Sequence, residues 1–126
     1  GLCVDCLNGA PGIKSARYAG ENSSDAENNS KLLESLENET QRNAAFVACL
    51  VFFDPNSNES PLSAEGRLEG EIAGDSKGKD GFGYDPIFYI SEENKTLAEL
   101  GKDYKNKNSH RAKATKILLN KLLKEK

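Results

Sequence analysis

The stretch Asn43–Asp54, "NAAFVACLVFFD", is the most apolar segment of the chain and constrains how the rest of it must fold. β-Branched and aromatic side chains recur along it, no Gly or Pro interrupts it, and Asp54-Pro55 ends it. Residues of these types pack well on a pleated surface, so the stretch predicts a strand. We expect this strand to be central in a sheet and largely buried.

Shorter strands are predicted on both sides of this segment. At the start of the chain, "GLCVDCL" alternates weakly between apolar and polar residues and runs into the turn-forming "NGAPG". Beyond the loop "PNSNESP", the segment "SAEGRLEGEIAG" indicates an edge-like strand, in which Gly66 and Gly70 suggest bulges or a close approach of another backbone. "IFYI", behind the glycine-rich "GDSKGKDGFGYDP", predicts a last short strand.

Three helices complete the predicted elements. One begins at Asp25, behind the cap Ser24, because acidic residues fill its first turn and leucines follow at helical spacing. A brief helix runs from Thr96 to Leu100, and the last helix starts at Ser109. The last helix should pack an apolar face on the sheet and turn its lysines to water. That face consists of Ala114, Ile117, Leu118, Leu122 and Leu123.

Length and composition limit the class of protein. Strands mixed with helices indicate an α/β fold, a mixed central β-sheet flanked by helices, and 126 residues with 37% apolar content support a single domain over 1–126. No apolar run approaches the roughly 20 residues that span a bilayer, so we expect a soluble protein with no membrane partner, by default cytoplasmic. Three cysteines are an odd number for a disulfide framework and complete no zinc motif, so reduced structural thiols are expected.

The charge is distributed unevenly along the chain. The net charge is −3, but residues 102–126 hold nine lysines and arginines against two acids, a balance of +7 that leaves −10 for residues 1–101. The basic segment favours an anionic partner, such as a nucleotide, a nucleic acid or a membrane surface. The acidic remainder argues against a broad surface for nucleic acid.

Basic residues gather where the last helix begins. Lys105 precedes this helix, Ser109 can cap it, and His110 and Arg111 lie in its first turn. Cations are disfavoured beside the free N–H groups of a helix N-terminus unless an anion fills the site. Two interpretations stay open: a phosphate site, or basic residues that merely reflect the composition of the segment. General acid or base chemistry by His110 is less favoured, because no carboxylate stands at helical spacing to orient it.

A second candidate site is "GFGYDP", residues 81–86. Gly81 and Gly83 flank Phe82 and leave its ring unshielded by neighbouring side chains, so the ring can stack on a base. Asp85 can accept hydrogen bonds from the edge of that base. A phosphate site together with a stacking platform indicates a nucleotide. The alternative is a β-turn that leads into "IFYI" and buries Phe82 in the core.

Five segments in a fixed order closely resemble the second part of the inosine triphosphatase family, the XTP/dITP diphosphatases. They are "GLCVDCLNGAPGIKSARYAGE", "NNSKLLESL", "GKDGFGYDPIF", "TLAEL" and "KNKNSHRAKA". The resemblance runs from Gly1 to the last helix, and the ordered set is far more specific than any one motif. It favours the nucleotide interpretation at both candidate sites. It also implies an α/β fold with a long mixed sheet, helices about it and a substrate cleft between two lobes.

The resemblance further implies an activity and its residues. Family members hydrolyse ITP, dITP or XTP to the monophosphate and pyrophosphate with magnesium, as cytoplasmic homodimers that remove deaminated purines before they reach nucleic acid. By matching motif position, one set of residues would hold the base and a second would grip the base or the phosphates. The first set is Phe82, Gly83, Tyr84 and Asp85, and the second is Lys105, His110 and Arg111.

The sequence departs from the family pattern at its beginning. Family members start with a strand, a "TxNxxK"-like phosphate loop and a metal-binding Glu, followed by a "DDSG" segment whose carboxylates bind magnesium and activate water. This chain begins at the Gly of that motif, and its own acids match none of the missing positions. We therefore expect a domain truncated at its N-terminus, with no catalytic or metal-binding residue of the family and no turnover unaided. Lys14 is a smaller departure, where an aromatic is commoner.

Two further functions are alternatives. A non-catalytic nucleotide-binding module would keep the grip on base and phosphate without the chemistry, and would bind ITP without magnesium. A nucleic-acid-binding domain that uses the basic C-terminal segment would show steep salt dependence and little preference for ITP over ATP. The "GFGYDP" segment disfavours the second alternative, so no nucleic-acid partner is expected.

Overall fold

A six-stranded sheet forms the centre of the protein in a computed structural model that describes residues 1–79 and 81–124. The strands are β1 (Leu2–Val4), β2 (Pro11–Gly12), β3 (Asn43–Phe52), β4 (Leu62–Ile72), β5 (Phe88–Ile90) and β6 (Lys95–Thr96). They lie in the order β2-β1-β3-β4-β5-β6, and each described pair is antiparallel. The predicted α/β class is confirmed. The sheet, predicted to be mixed, has only antiparallel pairs among the described residues. Asp80 of the predicted glycine-rich loop, and Glu125 and Lys126 of the basic segment, lie outside the described residues.

β3 and β4 form a long antiparallel hairpin at the centre of the sheet. Their register runs without interruption from the pair Asn43 and Glu71 to the pair Phe52 and Leu62. β3 is therefore central, as its apolar sequence predicts. β5 pairs with β4 only at Glu71 and Ile72, so the prediction of an edge-like strand is wrong at this end and correct along the rest of the strand. Its alternation of charged and small residues reflects one face open to water and one face packed on a helix.

The second half of β3 is more exposed than its sequence predicts. Ala44 and Ala45 are buried, whereas Val51 is 64% exposed and Phe52 is 43% exposed. β1 and β5 pair only with the open end of the hairpin, opposite the loop that connects β3 to β4. Beyond Val47 the described sheet is therefore two strands wide. The prediction of a largely buried strand is therefore correct only where neighbouring strands flank the hairpin.

Four helices surround this sheet in the described part of the chain. They are α1 (Asp25–Ser35), α2 (Leu97–Leu100), α3 (Lys102–Asn108) and α4 (His110–Lys124). α1 begins where the sequence predicts, and α2 and α4 begin one residue later than predicted. α3 is not predicted, because "KDYKNKN" shows no apolar periodicity. Among the described residues, no helix has both the length and the apolar character needed to cross a membrane.

α4 packs across one face of β3 and β4, and Gly66 makes this approach possible. A Cβ at Gly66 would lie 3.0 Å from Ala114 Cα and closer still to the His110 carbonyl oxygen and the Ala114 nitrogen. Of the two roles predicted for this glycine, close backbone approach is the one found. Ala114 is fully buried in the contact and the lysines of α4 face water, as predicted. Ile117 and Leu123, assigned to the apolar face, are nevertheless exposed.

α1 covers a different part of the core from α4. Leu32 and Leu36 are fully buried and belong to one cluster with Leu2 and Phe88. α1 also begins with a complete capping box: Ser24 Oγ accepts the Glu27 N–H at 3.2 Å, and Glu27 Oε1 accepts the Ser24 N–H at 3.0 Å. The three cysteines are free thiols, in agreement with the reduced state predicted.

Replacing Ser24 with alanine is expected to lower the free energy of unfolding by about 1 kcal/mol, because the Glu27 N–H loses its acceptor at the helix N-terminus. Urea unfolding followed by circular dichroism measures the change. Ser30→Ala is the matched control, since Ser30 is an exposed residue within the same helix and its replacement should change the value by less than about 0.5 kcal/mol. Equal losses in both variants would contradict the role of the cap.

Candidate functional site

A cavity of about 1000 Å³ opens between the start of α4, the segment 81–85 and the start of α1. All seven predicted substrate-binding residues line it: Phe82, Gly83, Tyr84, Asp85, Lys105, His110 and Arg111. Phe46 of β3 and Leu68 of β4 contribute apolar wall. Two sets of residues that lie some twenty positions apart in the sequence therefore share one site.

The Phe82 side chain projects into solvent from a tight turn. Gly81 has a φ of +83°, and a Cβ there would lie 3.0 Å from Asp85 Cγ and closer to a carboxylate oxygen, so glycine is required. The Phe82 N–H donates to Asp85 Oδ2 at 3.1 Å and closes the turn. The ring is 67% exposed, so the alternative that placed Phe82 in the core is wrong.

Asp85 and Lys105 form the charged centre of the cavity. Asp85 is 2% exposed, and its Oδ2 accepts a hydrogen bond from Lys105 Nζ at 2.6 Å. The same ammonium group lies 3.8 Å from the centroid of the Phe82 ring, within the range of a cation–π interaction. α3, the helix that the sequence did not predict, places Lys105 at this point. One lysine therefore connects the buried carboxylate to the exposed ring.

Tyr84 supports the segment from the inside. Its ring is buried, and its hydroxyl donates to the Ser15 carbonyl oxygen at 2.6 Å. Burial, with contributions from the nearby Tyr18 and Asp25, raises the pKa of Tyr84 to about 12. The hydroxyl therefore keeps its proton and its role as a donor at physiological pH.

The first turn of α4 presents His110 and Arg111 to the cavity. Ser109 caps the helix, since its Oγ accepts the Ala112 N–H at 3.1 Å. The His110 ring stacks on Phe46, with centroids 5.1 Å apart and planes inclined by 16°. The imidazole is thus fixed against the sheet, next to the guanidinium group of its neighbour.

His110 is expected to titrate far below an ordinary histidine. Burial lowers its pKa from 6.5 to about 4, and the positive charges of Arg111 and Lys105 contribute, while Asp85 opposes them. The unfolded chain takes up this proton near pH 6.5, so the folded state loses stability as the pH falls from about 6.5 to about 4. Above that window the group makes no contribution that depends on pH.

An NMR titration of the Hε1 resonance checks this value, and the assignment is direct because the chain has one histidine. A midpoint at or above 6.5 would contradict it. The loss of unfolding free energy between pH 6.5 and 4 should also be smaller in His110→Gln than in the unaltered chain.

Several residues that line the cavity are not among the site residues predicted from the sequence. Asp25 and Asn28 of α1 line the cavity, as do Ser15 and Phe46. Asn28 Oδ1 accepts the Ala19 N–H at 2.8 Å, and its Nδ2 donates to the Ala16 carbonyl oxygen at 3.0 Å. These contacts tie α1 to the loop that precedes it. The one sequence signal was the predicted start of α1, which marks Asp25 but not its partner.

The sequence resemblance implies a magnesium ion, which needs a group of oxygen donors in the cavity. Within residues 1–79 and 81–124, no group of three or more His, Cys, Asp or Glu side chains is placed to hold a metal ion. The two carboxylates of the cavity are engaged elsewhere, Asp25 with the Gly83 N–H and Asp85 with Lys105. The described residues therefore do not fit a magnesium site, and no chemical step is derived through one.

Comparison with known proteins shows where similar chains occur. The model of the Ham1 family matches residues 1–121. A dITP/XTP pyrophosphatase of Haemophilus influenzae is 50% identical over 124 residues, which is 97% of this chain and 64% of that protein. Another dITP/XTP pyrophosphatase, from Idiomarina loihiensis, is 46% identical over 126 residues, 98% of this chain and 62% of that protein.

Solved structures give the same picture of the fold. The Ham1 protein of Staphylococcus aureus superposes with a TM-score of 0.94 at 48% identity, over 100% of this chain and 65% of that one. A HAM1 protein of Coxiella burnetii gives a TM-score of 0.91 at 44% identity, over 100% of this chain and 64% of that one. The chain thus spans less than two thirds of the length of the relatives that it matches.

Proposed function

The chain belongs to the Ham1 family, and from this membership we propose that the protein is a hydrolase of nucleotide metabolism that converts ITP, dITP or XTP to the monophosphate and pyrophosphate. The name dITP/XTP pyrophosphatase, carried by relatives about half identical in sequence, supports this substrate class and reaction. Because the chain spans less than two thirds of their length, the step proposed for its own residues is recognition of the purine nucleotide.

The observation that carries the proposal is the convergence of an exposed ring and three basic side chains on one cavity. Phe82 offers a face on which a purine can stack. Lys105, His110 and Arg111 lie on the same cavity and supply donors for a base edge or a phosphate. An aromatic platform combined with cations suits a nucleotide better than an apolar or cationic ligand.

Discrimination against adenine follows from the same donors. A deaminated purine presents a carbonyl oxygen at the ring position where adenine presents an amino group. The Lys105 ammonium and the Arg111 guanidinium only donate hydrogen bonds, so they pair with the carbonyl and leave an amino group facing other donors. Neutral His110, with its pKa near 4, can accept the ring N–H that a deaminated purine carries. Adenine would leave these groups of the cavity unpaired, which is the stronger basis for rejection.

The remaining parts of the proposal concern cofactor, assembly and location. Magnesium and a homodimer are proposed from the family resemblance alone. A cytoplasmic location is proposed because free thiols suit a reducing compartment. No nucleic-acid partner is proposed, because residues 1–101 carry an excess of acidic charge.

Calorimetric titration of the chain with ITP and with ATP, at low and high salt, tests the proposal. We expect ITP to bind at least about tenfold more tightly than ATP, at both salt concentrations. Equal affinities that collapse at high salt would instead support the nucleic-acid-binding alternative. A parallel incubation with ITP and magnesium, followed by anion exchange, shows whether IMP and pyrophosphate form and so separates the hydrolase from a binding module.

Phe82→Ala is expected to weaken ITP binding by about tenfold, because a stacked base loses its aromatic partner. Phe53→Ala is the matched control: Phe53 is 64% exposed, close to the 67% of Phe82, but does not line the cavity. Calorimetry on both variants measures the difference. Loss of affinity in the control, or none in Phe82→Ala, would count against a stacking platform at this residue.

A further inference from the structure

Gly83 occupies the middle of the segment that faces the cavity, and it has no side chain of its own to anchor it. Its φ is +61°, and a Cβ at this position would meet no atom within 4 Å. A glycine in open space has wide conformational freedom in the absence of external contacts. What fixes the Gly83 peptide therefore fixes the orientation of the segment between Phe82 and Asp85.

Helix α1 supplies these contacts. Asp25 Oδ2 accepts the Gly83 N–H at 2.8 Å, and Asn29 Nδ2 donates to the Gly83 carbonyl oxygen at 3.2 Å. The two side chains are four residues apart, so they lie on the same face of the helix. The glycine is thus held at both its donor and its acceptor by residues 58 and 54 positions away in the sequence.

The two contacts differ in strength. The bond to Asp25 is shorter and involves a carboxylate, whereas the bond from Asn29 is longer and joins neutral groups. Asn29 Oδ1 is buried and has no hydrogen-bond partner among the described residues, so its amide is committed to Gly83 through the nitrogen alone. Asp25 is therefore the principal contact.

We propose that Asp25 is a positioning residue, which holds the Gly83 peptide, with help from Asn29, so that the segment 82–85 can receive the purine base. This inference rests on the proposed function, because it assigns the segment to base binding. Asp25 acts here through Gly83 and is not a catalytic residue. α1 can serve as the support because Leu32 and Leu36 anchor it in the core.

Variants at Asp25 separate this role from a general effect on the helix. Asp25→Ala and Asp25→Asn both remove the negative charge at the start of α1, but only the asparagine keeps an oxygen that can accept the Gly83 N–H. Glu34→Ala is the matched control, since Glu34 is an exposed acid of the same helix and does not line the cavity.

Two measurements on the 126-residue chain decide the matter. Hydrogen exchange of the Gly83 amide, followed by NMR without ligand, should accelerate about tenfold in Asp25→Ala and less than about threefold in Asp25→Asn and Glu34→Ala. The dissociation constant of ITP should rise about tenfold in Asp25→Ala, with a smaller preference over ATP, and stay within about threefold in the other two.

Unchanged exchange of Gly83 in Asp25→Ala would overturn the proposal, even if ITP binding were lost, because Asp25 would then act directly on the ligand. Equal impairment of Asp25→Asn and Asp25→Ala would overturn it too, since charge and not the hydrogen bond would matter. If the unaltered chain bound no ITP, the proposed function and the role of the segment in base binding would fall together. The Gly83 exchange rates would still decide whether Asp25 holds the segment.

Discussion

Replacing Lys105 with methionine is expected to weaken ITP binding about 100-fold and to lower the free energy of unfolding by about 2 kcal/mol. The substitution keeps most of the side-chain volume but removes the ammonium group that bonds to Asp85 and lies over the Phe82 ring. Asp85 is almost completely buried, so its carboxylate would lose its charged partner within the protein. Calorimetry with ITP and urea unfolding measure the two effects.

Two further variants separate the ligand contact from the ion pair. Lys107→Met removes an exposed lysine of the same helix that does not line the cavity, and should leave both quantities near their original values. Asp85→Asn combined with Lys105→Met should recover part of the lost stability, because no unpaired carboxylate remains, but none of the ITP affinity. If Lys105→Met bound ITP as tightly as the unaltered chain, Lys105 would have no place in nucleotide recognition.

Replacing Gly66 with alanine is expected to lower the free energy of unfolding by about 3 kcal/mol or more. The added methyl group would meet the His110 carbonyl oxygen and the Ala114 nitrogen, which are backbone atoms that cannot rotate away. α4 must then shift off β4. Since His110 and Arg111 lie in the displaced turn, the affinity for ITP should fall together with the stability.

Gly74→Ala provides the matched control for Gly66→Ala. A Cβ at Gly74 meets no atom within 4 Å, and its φ lies outside the left-handed region. The same chemical change should therefore alter the stability there by less than about 0.5 kcal/mol. Thermal and urea unfolding of the two variants make the comparison. A small loss in Gly66→Ala would mean that α4 does not approach the strand so closely.

The sequence predicts those elements whose signals lie within the element itself or at its ends. α1 and α2 have a capping residue followed by an acidic residue three positions on, and β3 has an apolar run without breakers. α3 lacks any such signal, because six of its seven residues are polar and Tyr104 alone packs against the core. The sequence leaves the role of Gly66 in β4 open for a related reason: the helix that packs on this glycine lies more than forty residues later in the chain.

In the candidate site too, local sequence marks some residues, whereas the contacts between them depend on how the elements pack. Phe82, Lys105 and Arg111 stand out in the sequence because glycines or basic neighbours mark them. The ion pair of Lys105 with Asp85, and the stacking of His110 on Phe46, depend on how α3 and α4 lie against the sheet. The sequence marks Asp25 only as the start of α1 and gives no sign of its contact with the cavity segment, because its partner is a backbone N–H that no side-chain pattern reveals.

α4 touches the cavity and the sheet within a single turn of helix. His110 lines the cavity, and Ala114, four residues further on, packs against Gly66. A nucleotide held at the first turn must therefore leave before the helix can detach. Its concentration then sets the fraction of molecules in which the helix is detached: at 100 times the dissociation constant, the free energy of detachment rises by about 2.7 kcal/mol. On the proposed function, the chain resists proteases best when deaminated nucleotides are most abundant.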